Sequence, residues 1–274
     1  MARAAVLLVI GLAHASTARA AAGAASAAGV TSTPARPRSV YRLSPVLDLS
    51  LTLGATTAII VPYAASSRLI TRSCPCNPDD VNAFDRVAIG YSSFAAEALS
   101  DVTVGAVLVV PLVLDTVDLG LTEPLLEDTL VFAETLAING ALVTATKHIV
   151  QRPLPRTYAG EDRLVHSAEG YRAFYSGHTA TAFAGLSAAA MTLRLRHGEH
   201  VWPWLVVLVV GGSVAVERVA TGTHFPSDVI VGALVGTATG IVVPWLHVRA
   251  RTRAGGLVLA PREDGLMLGW AGRF

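Results

Sequence analysis

The sequence predicts an all-α fold, a six-helix transmembrane bundle with an additional interfacial amphipathic helix. Three observations predict it. Of 274 residues, 52% are hydrophobic and only 15% charged, and a soluble domain of this size would struggle to carry the mean hydropathy of +0.52. Six apolar segments approach membrane length: about Val46–Ala65, Val102–Asp118, Asp128–Thr146, Thr179–Leu193, Val201–Val216 and Asp228–His247. Backbone groups in lipid need internal partners, so these segments are helices rather than open strands. Between the first two, the apolar residues Val81, Phe84, Val87, Ala88, Tyr91, Phe94 and Ala95 recur at spacings of three and four, which suits a helix lying on the interface.

The elements follow in order. Arg3, an apolar run from Ala4 to Ala13 and Ala18-Arg19-Ala20 form the pattern of a secretory signal over residues 1–20, the alternative being a short uncleaved anchor. Residues 21–45, whose first part is rich in Ala, Ser, Thr and Pro, read as a flexible arm. One helical domain spans 46–248 without an internal repeat, and residues 249–274 form a tail. Cys74 and Cys76 are too few for a structural zinc site, and a bond between such near neighbours would be strained. They read as free or intermolecularly paired thiols in a loop. Asp48, Asp115 and Glu127 lie near segment ends and can reach the interface, whereas Glu134 and Asn139 are deeper, where helix-to-helix hydrogen bonding is the common role.

The net charge of +1 gives no basic field for nucleic acid. Lys147 is the only lysine among 21 basic residues. Polar chemistry concentrates at three segment ends. The third segment ends in Thr146-Lys147-His148 and runs on to Arg152 and Arg156; the fourth begins at Ser176-Gly177-His178; the fifth and sixth join through Glu217-Arg218 and Thr223-His224 to Asp228. Alternating topology puts these three junctions on one side of the membrane, so that Lys147, Arg152, His178, Arg218, His224 and Asp228 can converge. Ser176 is a good N-cap, and Gly177 lets a ligand approach backbone N–H groups where the helix dipole favours anions. With Lys147, Arg152 and Arg218 added, the pocket suits a multiply charged oxyanion such as phosphate. One neutral imidazole could then attack phosphorus while the other donates to the leaving oxygen. The spacing of four between His224 and Asp228 would let the carboxylate orient that ring, making His224 the nucleophile and His178 the acid.

These residues resemble the type 2 phosphatidic-acid phosphatase superfamily, whose active site is shared with vanadium haloperoxidases. Lys147 and Pro155 fit its first motif, Ser176, Gly177 and His178 its second, and Arg218, His224 and Asp228 its third, over about Glu134 to Pro244. The resemblance implies a metal- and cofactor-independent phosphatase acting through a phosphohistidine on His224, with phosphate held by Lys147, Ser176, Gly177 and Arg218. Its substrate would be an amphiphile such as a lipid phosphate or isoprenyl pyrophosphate.

Tyr175 stands where the family has proline, Glu217 where it has serine and Leu154 where it has arginine. Arg152 is the expected replacement for that arginine, with Arg156 the alternative. A phosphotransferase using the same site, or a non-catalytic protein retaining the fold, are the other readings. Haloperoxidases are soluble, which the hydropathy argues against. His224 and Asp228 could instead be half of a metal site, but the surrounding arginines would repel the ion. His14, His148, His166, His197, His200 and His247 lack such surroundings and read as surface or interface residues.

A cleaved signal followed by six spans would put the site in the cytoplasm. Arg36, Arg38, Arg42, Arg194, Arg196, Arg249, Arg251 and Arg253, however, fall on the opposite side from it, and the positive-inside rule then predicts an extracytoplasmic site in the cell membrane.

Overall fold

The structure is a computed structural model and describes residues 38–248, 255–262 and 265–272. The expected signal and most of the arm lie outside the described residues. Six long helices appear where the apolar segments predict them: α1 Pro45–Ala64, α2 Phe94–Leu119, α3 Glu123–Val150, α4 Gly177–His197, α5 Trp202–Ala220 and α6 Pro226–Leu246. Their ends follow local chemistry. Proline occupies the first turn of α1, α3, α5 and α6, where no intrahelical N–H is lost. The Ser93 side chain caps α2 by accepting from the Ala96 N–H.

Among the described residues, five helices are long and apolar enough to cross a membrane, and α4 is not one of them. The reason is its position. This 21-residue helix is the centre of the bundle, packed against α2, α3, α5 and α6, and its buried face is made of Ala, Gly, Ser and Thr with Phe183 and Met191. A helix surrounded by protein need not be apolar towards lipid. The outer helices are the reverse: Leu47, Leu53 and Ile60 of α1 and Val102, Val113 and Val117 of α2 are exposed, a surface that only hydrocarbon would cover without penalty.

The closest packing is between α4 and α6. Gly232, Gly236 and Gly240 lie four apart on α6, and a Cβ added at each would stand 2.8, 2.3 and 2.4 Å from the backbone oxygens of Ser176, Ala180 and Ala184. Small residues here let two backbones touch. That contact also sets the start of α4 beside the start of α6.

The interfacial segment is shorter than its periodicity suggests. It is helical only over Ala83–Arg86, capped by the Asn82 side chain; a turn through Gly90, with φ of +98°, follows, and Phe94 and Ala95 already belong to α2. Val81 and Ala88 pack inward while Phe84, Val87 and Tyr91 face out. The cysteine expectation is corrected as well. Cys74 and Cys76 are joined in an intrachain disulfide, the turn at Pro75 holding their Cα atoms 4.4 Å apart, within bridging reach. In the tail, strands β1 Gly255–Arg262 and β2 Gly265–Gly272 pair antiparallel, Arg262 opposite Gly265.

Because the α4–α6 contact is backbone against backbone, Gly236→Val should destabilise the protein by about 1–3 kcal/mol or more. Gly54→Ala, whose Cβ meets nothing within 4 Å, should not. Thermal unfolding of both variants in detergent micelles measures the difference.

Candidate active site

Three connections meet at one end of the bundle. The segment between α3 and α4 folds back on itself: Leu154 N–H donates to Gly170 O and Ala173 N–H to Arg152 O, both at 2.9 Å. It is tied to the α5–α6 connection by Arg156 N–H donating to Gly222 O at 3.0 Å, and the stretch before α2 joins through Ser93 N–H donating to Ala220 O at 3.1 Å. Between them lies a pocket of about 200 Å³ whose walls include Lys147, Arg156, Gly177, His178, Arg218 and His224. Of the six residues that alternating topology is expected to bring together, Lys147, His178, Arg218 and His224 line this pocket, whereas Arg152 and Asp228 do not. Ser176 is buried beside it, its hydroxyl accepting from Thr179 N–H and engaged with the Thr179 hydroxyl.

His224 is buried, and its Nδ1 lies 2.7 Å from Ala173 O. A carbonyl only accepts, so Nδ1 carries the hydrogen and a neutral ring presents its lone pair at Nε2. Burial, with the nearby Lys147 charge adding to it, pushes His224 down to about 4 against the opposing pull of Asp228. The ring is thus neutral at physiological pH.

Asp228 does not hydrogen-bond this ring. Its carboxylate lies 3.9 Å from His224 Nδ1 because both oxygens are already engaged: Oδ2 accepts from Phe225 N–H at 2.8 Å and Oδ1 from Arg152 at 2.6 Å. The orienting role expected of Asp228 falls to a backbone carbonyl, and the carboxylate acts on His224 only through its charge.

Arg152 is likewise turned away from the expected task. Its guanidinium donates to Asp228, to Asp85 at 2.8 Å and to Ser227 at 2.9 Å, and it stacks on the Phe225 ring at 4.0 Å. Burial alone would raise the Asp85 carboxyl, but bonds from Arg152 and Ser227 outweigh it and hold the group below its usual range. Arg156, the alternative, does reach the pocket wall, paired with Glu161 at 2.6 Å. Leu154 is buried against Val81, Ala88, Leu164, Ala173 and Phe225, so an arginine there would have to displace part of an apolar cluster.

Some neighbours were not legible in the sequence. His178 Nε2 lies 2.8 Å from Asp101 of α2, so this nitrogen carries a hydrogen. Asp101 sits one residue before the apolar run that marks α2, and its polarity at that edge was the available signal. Arg172 also lines the pocket, and its carbonyl accepts a short hydrogen bond from Lys147 Nζ. Arg218 is buried; one of its nitrogens donates to Ser100 Oγ at 3.1 Å, while Nε has no hydrogen-bond partner. A second cavity of about 360 Å³ opens beside the first, walled by Ile59, Tyr63, Val104 and Val143, and shares Gly177 and His178 with it.

Residues 128–252 match the family model of the PAP2 superfamily. That stretch carries the three motifs, and their resemblance to the family stands. The lipid A 1-phosphatase of Porphyromonas gingivalis is 31% identical over 113 residues, a match covering 40% of this chain and 22% of the relative's length. Two crystal structures match parts of the chain. LpxE of Aquifex aeolicus has 21% identity and a TM-score of 0.43, covering 64% of this chain and 98% of its own. The transmembrane PAP2 type phosphatidylglycerolphosphate phosphatase of Bacillus subtilis has 19% identity and a TM-score of 0.45, covering 74% and 94%.

Two measurements check this geometry. Arg152→Ala leaves two buried carboxylates without their cation and should cost about 3–5 kcal/mol of stability. Arg156→Ala breaks a partly exposed pair and should cost under about 1 kcal/mol in the same denaturant titration. The pH dependence has a definite sign. Between pH 6.5 and about 4 the unfolded chain binds a proton at His224 that the folded chain refuses. Stability from this group is complete above 6.5 and falls with pH through that window; His224→Ala should flatten this part of the curve.

Proposed function

We propose that this chain is an integral-membrane phosphatase for phosphorylated amphiphiles, working without a metal through a phosphohistidine on His224. The observation that carries the reading is the His224 ring itself: Nδ1–H bound to Ala173 O leaves a lone pair at Nε2, on a pocket whose walls carry Lys147, Arg156, Arg163, Arg172 and Arg218 against Glu97 and Glu169. Nε2 attacks phosphorus in line with the ester oxygen. His178 acts in its doubly protonated form, with Nε2–H held by Asp101 and the other ring N–H given to that oxygen as the P–O bond breaks; the ring, now neutral, takes a proton from the water that hydrolyses the P–N bond. Lys147, the Gly177 N–H at the start of α4 and the unpaired Arg218 Nε hold the equatorial oxygens, where charge is greatest in the transition state. Arg156 supplies the further guanidinium that Leu154 does not. Ser176 acts by capping α4 and so aiming the Gly177 N–H.

The apolar cavity sharing Gly177 and His178 supports an amphiphile, because a hydrocarbon chain could lie there with its phosphate head beside His224. Lipid phosphates, including the lipid A 1-phosphate named for the Porphyromonas relative, and isoprenyl pyrophosphates all fit that description. Arg194 and Arg196, at the other end of α4, support an extracytoplasmic site in the cell membrane.

Rapid quench with a ³²P-labelled lipid phosphate tests the mechanism. An acid-labile, alkali-stable label should form on the wild type and be absent from His224→Ala, which should have no turnover. His178→Ala should lose about 10²–10⁴-fold on an alkyl phosphate and much less on an aryl phosphate, whose leaving group needs no proton. Equal losses on both substrates would remove His178 from the acid role.

A further inference from the structure

Far from the pocket, three helices bring together a cluster that phosphate chemistry does not use. Asp48 lies in the first turn of α1, Glu134 in α3 and His247 immediately after α6. Glu134 is 13 residues before Lys147 on the same helix, roughly 20 Å along its axis. His247, which reads from sequence as an isolated surface or interface residue, is instead about one-tenth exposed, with Nε2 3.4 Å from Glu134 Oε2 and 3.5 Å from Asp48 Oδ1.

At most one positive charge faces the two buried carboxylates. His247 Nδ1 lies 2.8 Å from Val243 O and so carries a hydrogen, which leaves Nε2 of the neutral ring with a lone pair turned towards Asp48 and Glu134. Asp48 Oδ2 accepts from Ser44 N–H at 2.6 Å, leaving Oδ1 for the cluster. The Glu134 side chain is 4% exposed and, among the described residues, its carboxylate accepts no hydrogen bond; its one contact of that length is His247 Nε2. A buried carboxylate so placed is costly unless a cation faces it.

We propose that Asp48, Glu134 and His247 bind a divalent metal ion of the zinc or manganese class. The donor set, one imidazole and two carboxylates, is what such ions accept, and two carboxylates with a neutral ring balance a charge of +2. Ligands about 2.1 Å from a tetrahedral ion stand about 3.4 Å apart, which matches the two distances from His247. All three donor atoms lie within 4.8 Å of one another. The Nδ1–H bond to Val243 O is the outer-shell contact that orients a metal-binding histidine. The ion would join α1 to α3 and to the end of α6.

The experiment uses the full chain in detergent micelles, stripped with chelator and reloaded with zinc or manganese salts. Wild type and His224→Ala should each retain about one equivalent of metal after desalting and gain several degrees in unfolding temperature. Glu134→Gln and His247→Gln should retain less than a tenth of an equivalent and gain nothing; Asp48→Asn serves if either fails to give a cooperative transition. The proposal is overturned if wild type retains no metal, if the substituted chains retain as much as wild type, or if the transition moves with pH and not with metal. That last outcome would assign the cluster a shared proton. None of these outcomes bears on the label trapped at His224, so the two readings fail separately.

Discussion

Asp228 is buried completely, and each of its polar groups ties a different part of the chain to the pocket. Its carboxylate accepts from Phe225 N–H, which closes the first turn of α6, and from Arg152, which brings in the α3–α4 connection. Its backbone oxygen accepts from Ser176 N–H at 3.1 Å, which fixes the start of α4. The two motifs that carry His178 and His224 are therefore held in register by one residue. Its charge is tolerated because Arg152 neutralises it and Asp85 shares the same guanidinium, a network whose members are each satisfied only while the others stay in place.

The second constraint is lipid. Apolar attraction does little to join helices in hydrocarbon, so close packing and polar contacts must do it. The glycine row of α6 against α4 supplies the first, and buried ion pairs supply much of the second. Arg196 at the far end of α4 binds Asp128 of α3 through both its oxygens, at 2.6 and 2.7 Å. The bundle is thus clamped at both ends of its central helix, and the pocket inherits its geometry from that helix.

A division of labour among the cations follows. Those already bound to carboxylates, Arg152 and Arg196, hold the architecture. Lys147 and Arg218 stand on the pocket with fewer or weaker partners, Lys147 on a carbonyl and Arg218 on a serine hydroxyl. Arg156 falls between the two groups, on the pocket wall but paired with Glu161, so an anionic ligand would have to share it with that carboxylate.

The all-α bundle, the six helical segments and the meeting of Lys147, His178, Arg218 and His224 were legible in the sequence. Hydrophobic runs and helix-end chemistry are local, and alternation across a membrane turns local ends into a shared side. The central place of α4 was hinted at only by its lower apolarity, and nothing in the sequence around Leu154 showed that Arg152 would turn to Asp85 and Asp228. Tertiary structure alone decided that Ala173 O rather than Asp228 bonds the His224 ring, that Arg152 turns to Asp85, that Asp101 meets His178, and that His247 joins Asp48 and Glu134. These partners lie up to about 200 residues apart and meet within 4 Å only because helices pack in one particular rotation. Spacing along a chain specifies which face a residue is on, whereas a hydrogen bond depends on ångströms that packing sets.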